Sequence, residues 1–319
     1  MLAVMQANVL VETTDLSSAE WLSYRRKGIG GSDIAAICGI SKWKRPIHVY
    51  LDKIGELPES ELGEPAEWGT RLEPLIADKF SSEHPEWAVI KKDMIYSHPR
   101  YDWALGNIDR MLICPHRGRG ILEIKTANEY LLKDWNDGNI PDYYYVQLQW
   151  YLFITGLDWG YFATLIGGNK YREYEVHRDD DMIEQMLRLA GDFWDNHVLA
   201  CKCPPVDGSD ASTNLLNTWY PRATQTAPIE LEGAEMAESY LSMKQQLKSL
   251  EEELSEVENH FKSMLGNYEI GSTGDHRIKW ENRNRTGVDS KLLKELYPDA
   301  HQACLKTTHF RQFSIKEAS

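Results

Sequence analysis

The two runs "WALGNIDRMLI" (103–113) and "GILEIKT" (120–126), joined through the turn-like "CPHRGRG", restrict the folding of this chain more than any other stretch. Successive side chains of a strand point to opposite faces, so Glu123 and Lys125, two positions apart, share one face. Asp109 closes the first run, with thirteen residues between it and Glu123. A hairpin brings the two carboxylates side by side at one sheet edge, where their repulsion is costly unless a hard divalent cation neutralises it. Oxygen ligands of this kind suit Mg²⁺ or Mn²⁺. Lys125 points to the face of Glu123, within reach of a metal-bound water or a scissile phosphate. An ExK motif standing alone reads more simply as a solvated strand face.

The flanking elements follow from periodicity and punctuation. "SSAEWLSYRRKG" opens at Ser17 or Ser18 and stops at Gly28; "SDIAAICG" runs from Ser32 to Gly39; "RPIHVYLDKIG" has Pro46 in its first turn and Gly55 after its end. "EPAEWGTRLEPLIADKFSSEHP" predicts a longer helix with Leu72, Leu75, Ile76 and Phe80 at helical spacing, against which stands Pro74, a residue that fits only a first turn or a kink. "WAVIKKDMIYS" joins the two opening runs in a meander of three or four strands. Helices over "NEYLLKDWNDG" and "PDYYYVQLQWYLFITG", a hairpin across "GGNK" and a helix over "DDDMIEQMLRLAGDFWDNHV" complete an α/β core with a mixed sheet. Tyr144, Leu148, Tyr151 and Leu152 form the core stripe of the second of these helices.

This core is expected over residues 1–200, with a linker over 201–230 and an extension over 231–319. In the extension, Met236, Tyr240, Met243, Leu247, Leu250, Leu254, Val257, Phe261 and Met264 alternate at spacings of four and three, a heptad seam. Such a seam packs against another subunit or partner, or lies on its own domain. Short strands over "HRIKWENR" and "RQFSIKE" close the tail.

With 319 residues, 42% hydrophobic, the chain reads as globular, and no apolar run approaches the roughly 18 residues of a membrane helix. The five scattered cysteines and the lack of a leader-like start suggest a cytoplasmic protein, with no membrane partner. Cys201 and Cys203 lack the second pair that structural zinc requires, and the histidines show no ligand spacing. A net charge of −14 argues against a general nucleic-acid binder, yet "YRRKGIGGS" and "SKWKRP" concentrate basic residues, and a site that binds cations is itself acidic. In the first of these, "GGSD" before an apolar helical turn groups main-chain N–H groups and a hydroxyl, an arrangement suited to an anion. Arg25 or its neighbour Arg26 supplies a forked donor for it.

Five blocks, "WLSYRRKGIGGSD" (21–33), "EWGTRLEP" (67–74), "GNIDR" (106–110), "LEIKT" (122–126) and "YYYVQLQWYLFITG" (143–156), resemble the lambda-exonuclease-like, YqaJ-type viral recombinase nucleases of the PD-(D/E)XK superfamily, in order and approximate spacing. The resemblance implies a restriction-endonuclease-like α/β core, with a long C-terminal helix and small β tail outside it. It makes Asp109 and Glu123 metal ligands with the carbonyl of Ile124, Lys125 the catalytic lysine, and Glu73 a carboxylate completing the site. It makes Gln147, with Tyr151 in a QxxxY pattern, a residue that positions the site. Arg25 and Ser32 correspond to the residues that hold a terminal 5′-phosphate. The implied activity is an Mg²⁺-dependent 5′-to-3′ exonuclease on linear double-stranded DNA, with Mn²⁺ as substitute, releasing 5′-mononucleotides and leaving 3′ single-stranded tails. The implied partners are duplex DNA ends, a homotrimer and a phage single-strand annealing protein. Two rivals are a structure-specific or restriction-type endonuclease on the same core and a non-catalytic scaffold that binds DNA ends.

Overall fold

The structure is a computed structural model in which residues 6–58, 63–136 and 138–316 are described. The chain divides into two compact units, residues 1–219 and 220–319.

In the first unit, the region 87–126 forms five strands in two sheets, where a single meander was expected. A polar break over 92–93 separates β2 (Ala88–Lys91) from β3 (Met94–Ser97), and residues 107–109 separate β4 (Leu105–Gly106) from β5 (Arg110–Cys114). β3 pairs on one side with β1 (Asn8–Glu12) and on the other with β4, in the order β1-β3-β4. β1 left no periodic signal, because its side chains are mostly exposed on both faces. The central sheet has the order β2-β5-β6-β7-β8, where β6 is Gly118–Ala127, β7 Trp159–Ile166 and β8 Lys170–His177. Its β6–β7 pair is parallel and the other pairs antiparallel, which makes the sheet mixed, as expected.

The helices are α1 (Ser18–Arg25), α2 (Gly31–Ile37), α3 (Pro46–Ile54), α4 (Glu64–Glu83), α5 (Asp142–Thr155) and α6 (Asp180–Phe193). Ser17 caps α1, its hydroxyl accepting from Glu20 N–H while the Glu20 carboxylate returns to Ser17 N–H, a reciprocal box. α2 begins one residue before Ser32, and α4 runs through Pro74 without interruption. Ile76 and Phe80 are buried on α4, whereas Leu75 is exposed. The segment expected as the helix "NEYLLKDWNDG" is a 3-10 stretch, Glu129–Trp135.

Alternation along the strands sorts the sheet into two faces. Leu112, Leu122, Ile124, Trp159 and Ala163 pack with Ile76 and Phe80 of α4. Met111, Ile121 and Phe162 pack with Leu148 and Leu152 of α5, in the larger core that also takes residues from α2, α3 and α6. Glu123 and Lys125 share the parity of Ile121 and therefore belong to the α5 face.

The linker expected over 201–230 contains a helix, α7 (Asp210–Trp219), whose Ser212 and Leu215 are buried. Polar residues between its apolar positions hid this helix. In the second unit, α8 (Ala234–Leu265) has 32 residues and carries the heptad seam. Ion pairs of Lys248 with Glu252 and Lys262 with Glu258 stud its sides, and Met243, Leu247, Leu250 and Leu254 are each more than half exposed. β9 (Ile270–Thr273) and β10 (His276–Lys279) form a hairpin, followed by α9 (Ser290–Leu296) and α10 (Pro298–Ala303). The strand over "HRIKWENR" is thus present in part, while 311–316 is irregular and Glu317 of "RQFSIKE" lies outside the described residues. No helix among the described residues is long and apolar enough to cross a membrane.

The link between α1 and α2 meets the small sheet closely. Ile29 bridges Ala104, with Ile29 N–H donating to the Trp103 carbonyl at 2.7 Å and Leu105 N–H to the Ile29 carbonyl at 2.8 Å. The buried Trp150 indole of α5 donates to the carbonyls of Ile29 (3.3 Å) and Leu105 (3.2 Å). Glycine is needed at 28, where a Cβ would stand 2.2 Å from the Trp103 carbonyl oxygen. Gly28→Ala is therefore expected to destabilise the protein by about 2 kcal/mol or more, read as a lower midpoint at unchanged slope in urea unfolding.

Candidate active site

Antiparallel pairing of β5 and β6 sets Arg110 opposite Leu122, so one step further Asp109 stands beside Glu123 where the two strands diverge. The Asp109 carboxylate Oδ2 accepts from Ile124 N–H at 2.7 Å. Glu123, 2% exposed, has Oε1 bound by Lys125 Nζ (2.6 Å) and by Gln147 Nε2 (2.9 Å), and its other oxygen, Oε2, is buried without a hydrogen-bond partner. Gln147 also donates to the Tyr151 hydroxyl at 3.1 Å, so the QxxxY pair of α5 grips Glu123 from above the sheet. Tyr144, one turn before Leu148 on α5, is only half-buried, and its ring centre lies 5.0 Å from Lys125 Nζ. It packs at the edge of the core, as expected, and also faces the site.

Glu73 approaches from α4 and is held by a residue that sequence reasoning passed over. Arg110, 5% exposed, donates through Nη1 to Glu73 (2.5 Å) and to the main-chain oxygen of Asp109 (2.7 Å). The only sequence signal for Arg110 was a charged residue inside an apolar strand.

The electrostatics express an excess of buried negative charge. Burial and then the Asp109 carboxylate push Glu123 up to about 8, against the opposing pull of Lys125. Burial also raises Asp109, with Glu73 adding to it, despite Lys125 and the Ile124 N–H. Burial works against the Lys125 ammonium, but Glu123 and Asp109 outweigh it and raise its pKa.

Among the described residues, no three His, Cys, Asp or Glu side chains converge as a ready metal cage. Mg²⁺, however, commonly takes only one or two protein carboxylates and keeps waters. The partnerless Glu123 Oε2 and the surplus of acid beside Asp109 fit a site of that kind, while Glu73 is turned to Arg110.

Apart from Arg110, these groups border one cavity of about 560 Å³, and its other end is lined by Trp21, Arg25 and Ser32. Arg25 Nη2 donates to Ser32 Oγ at 2.6 Å, with the guanidinium 4.7 Å from the Trp21 ring centre. Arg26 turns elsewhere, toward Asp52 at 3.6 Å. Between the two ends lies Gly31, where a Cβ would come within 2.4 Å of the Tyr151 ring. The eight sequence candidates, Arg25, Ser32, Glu73, Asp109, Glu123, Ile124, Lys125 and Gln147, thus line a single cavity.

Residues 20–158, which contain both ends of this cavity, match the YqaJ-like viral recombinase domain. Over 319 residues, 98% of this chain and 99% of the relative, the sequence is 39% identical to the uncharacterized protein YqaJ of Bacillus subtilis (strain 168). The chain belongs to the YqaJ family. The alkaline exonuclease LHK-Exo of Laribacter hongkongensis, in its structure with dAMP, aligns with 58% of this YqaJ-family chain and 94% of its own, at 19% identity and a TM-score of 0.50. That likeness extends to the fold, the mixed α/β sheet of PD-(D/E)XK type.

One buried ion pair fastens the Arg25 end. Lys53 Nζ of α3, wholly buried, meets Asp33 Oδ2 at 2.7 Å and donates to the Arg25 carbonyl at 3.2 Å, while Gly30 N–H donates to Asp33 at 3.0 Å. Burial pushes the Asp33 carboxyl up, but Lys53 and Arg25 outweigh it and hold it at about 2. Lys53→Met strands this carboxylate and is expected to cost about 3–5 kcal/mol in denaturant unfolding. Because the folded pKa is depressed below the ordinary 3.8, the pair contributes its stability above about pH 4 and loses it as pH falls toward 2. Relative to the Asp33→Asn/Lys53→Met double variant, wild type should shed about 2 kcal/mol across that window.

Proposed function

We propose that this protein is a metal-dependent nuclease that resects linear double-stranded DNA from the 5′ end, releasing 5′-mononucleotides and leaving 3′ single-stranded tails. The observation that carries this reading is the buried, partnerless Oε2 of Glu123 beside Asp109, with Lys125 bonded to the same carboxylate. Family membership and the alkaline-exonuclease fold support it.

Asp109 and Glu123, with the carbonyl of Ile124, would hold Mg²⁺, or Mn²⁺ in its place. Such a cation supplies Lewis-acid stabilisation of phosphate charge and lowers the pKa of a bound water. The chain's own residues do the positioning. Gln147 and Lys125 fix the Glu123 carboxylate, and Arg110 holds Glu73 ready at the rim. The Lys125 ammonium stands where it can orient a nucleophilic water or offset charge on the phosphate. At the far end, Arg25 and Ser32 present a forked donor and a hydroxyl to a terminal 5′-phosphate. A bound divalent cation, together with Arg25 and Lys125 in the cavity, would offset its carboxylates and reconcile the net charge of −14 with a DNA substrate. With this reading go a cytoplasmic site of action, a homotrimer around duplex DNA and a single-strand annealing protein that receives the 3′ tails.

Linear duplex carrying a phosphate on one 5′ end only, incubated with Mg²⁺, tests the reading. Wild type should consume the phosphorylated strand to mononucleotides and spare a covalently closed circle, while Lys125→Ala should fall by about 100-fold or more. Arg25→Ala should remove most of the preference for the phosphorylated end. Cleavage of the circle would favour an endonuclease, and binding without degradation would favour the scaffold.

A further inference from the structure

We propose that the loop between α2 and α3 is a stacking platform for an unpaired nucleic-acid strand, with the Trp43 ring as the platform and Lys42 and Lys44 beside it as phosphate contacts. The inference rests on reading the cavity as a nuclease site, and it names where a single strand runs once it is outside that cavity.

Trp43 is 56% exposed, a large apolar ring left in water. Its loop is nevertheless firmly built. The hydroxyl of Ser41, only 8% exposed, accepts from the main-chain N–H groups of Trp43 and Lys44, each at 3.2 Å. Arg45 Nη1 donates to the carbonyls of Gly39 (2.9 Å) and Ser41 (3.3 Å), tying both ends of the loop together. A loop held this way displays the indole and cannot easily fold it back into the core. The exposed Lys42 and Lys44 flank it, with Lys42 also paired to Asp134 at 3.2 Å.

Aromatic rings connect this display to the reactive lysine. Trp43 and Tyr143 form a T-shaped pair (4.9 Å between centres, 84°), Tyr143 meets Tyr144 (4.5 Å, 60°), and the Tyr144 ring centre is 5.0 Å from Lys125 Nζ. Lys42 Nζ lies 5.4 Å from the Tyr143 ring centre. A single T-shaped contact occupies at most one face of the indole, which is 56% exposed, and every base has a π face to lay on the other. Two adjacent ammonium groups match the backbone phosphates on either side of a stacked base. Duplex DNA keeps its bases inside, so the ligand class is a single strand.

The test is fluorescence anisotropy of a labelled oligothymidylate with full-length wild type, Trp43→Phe, Trp43→Ala and the Lys42→Gln/Lys44→Gln double variant, over a salt series, beside thermal melts and the duplex assay. Trp43→Ala should bind about 10-fold more weakly or worse, and Trp43→Phe should stay within about 3-fold of wild type. The double-lysine variant should flatten the slope of log affinity against log salt by about 1.4. Equal binding by Trp43→Ala and wild type overturns the platform, as does equal loss in the Phe and Ala variants with unchanged melts. Should Trp43→Ala fail to fold, an unchanged salt slope in the double-lysine variant overturns it instead. If wild type resects duplex but any of these results appears, the platform alone falls; if wild type neither binds nor cuts DNA, the nuclease reading falls with it.

Discussion

Two carboxylates held side by side in a half-closed cleft are the constraint around which the first unit is arranged. Burial raises the proton affinity of both, and beyond it Asp109 raises Glu123 while Glu73 raises Asp109. What neighbours them is consistent with that cost: a lysine on the same strand face, a glutamine from the covering helix, a main-chain N–H and, on the opposite face, an arginine that occupies the third carboxylate. Even so, one Glu123 oxygen is left without a partner. A buried acid in that condition is destabilising unless something positive comes to it.

The second end of the cavity is built by different means. Close backbone approaches at Gly28 and Gly31 lay the α1–α2 link against β4 and beneath Tyr151, and the Trp150 indole ties its carbonyls together. A wholly buried lysine is an expensive way to join three helices, since a well-packed apolar residue is often as stable. Lys53 binds the main chain at Arg25 and the carboxylate that begins α2. Its geometry holds the spacing of Arg25 and Ser32 in a way a hydrocarbon side chain could not.

Much of the site was legible because charge interrupts apolar strands. Glu123 and Lys125 were paired by the two-residue period alone, and Asp109 by its place across a short turn. Arg110 was not, because a guanidinium on the far face of the sheet finds its partner 37 positions earlier on α4, a separation to which no local pattern refers. Tyr144 was assigned to the core by helical spacing, and it does pack at the core's edge, yet it also lines the cavity beside Lys125, a neighbour that helical spacing alone does not reveal. The break at residues 107–109 was invisible for a related reason. A run of apolar residues says how long a strand is able to be, and only the neighbours decide which sheet each half joins.

Sequence by itself determined the alternating α/β order, the charged face of β6, the Ser17 cap of α1, the Pro46 start and Gly55 end of α3 and the heptad seam of α8, because each depends on residues within a few positions of one another. The tertiary structure decided which arginine enters the cavity, that Glu73 is turned to Arg110, and that α7 occupies what composition suggested was linker. Those outcomes depend on contacts between distant segments. Adjacent arginines on a helix point in different directions, and it takes the surrounding α2 and α3 to give one of them Ser32 and the other Asp52.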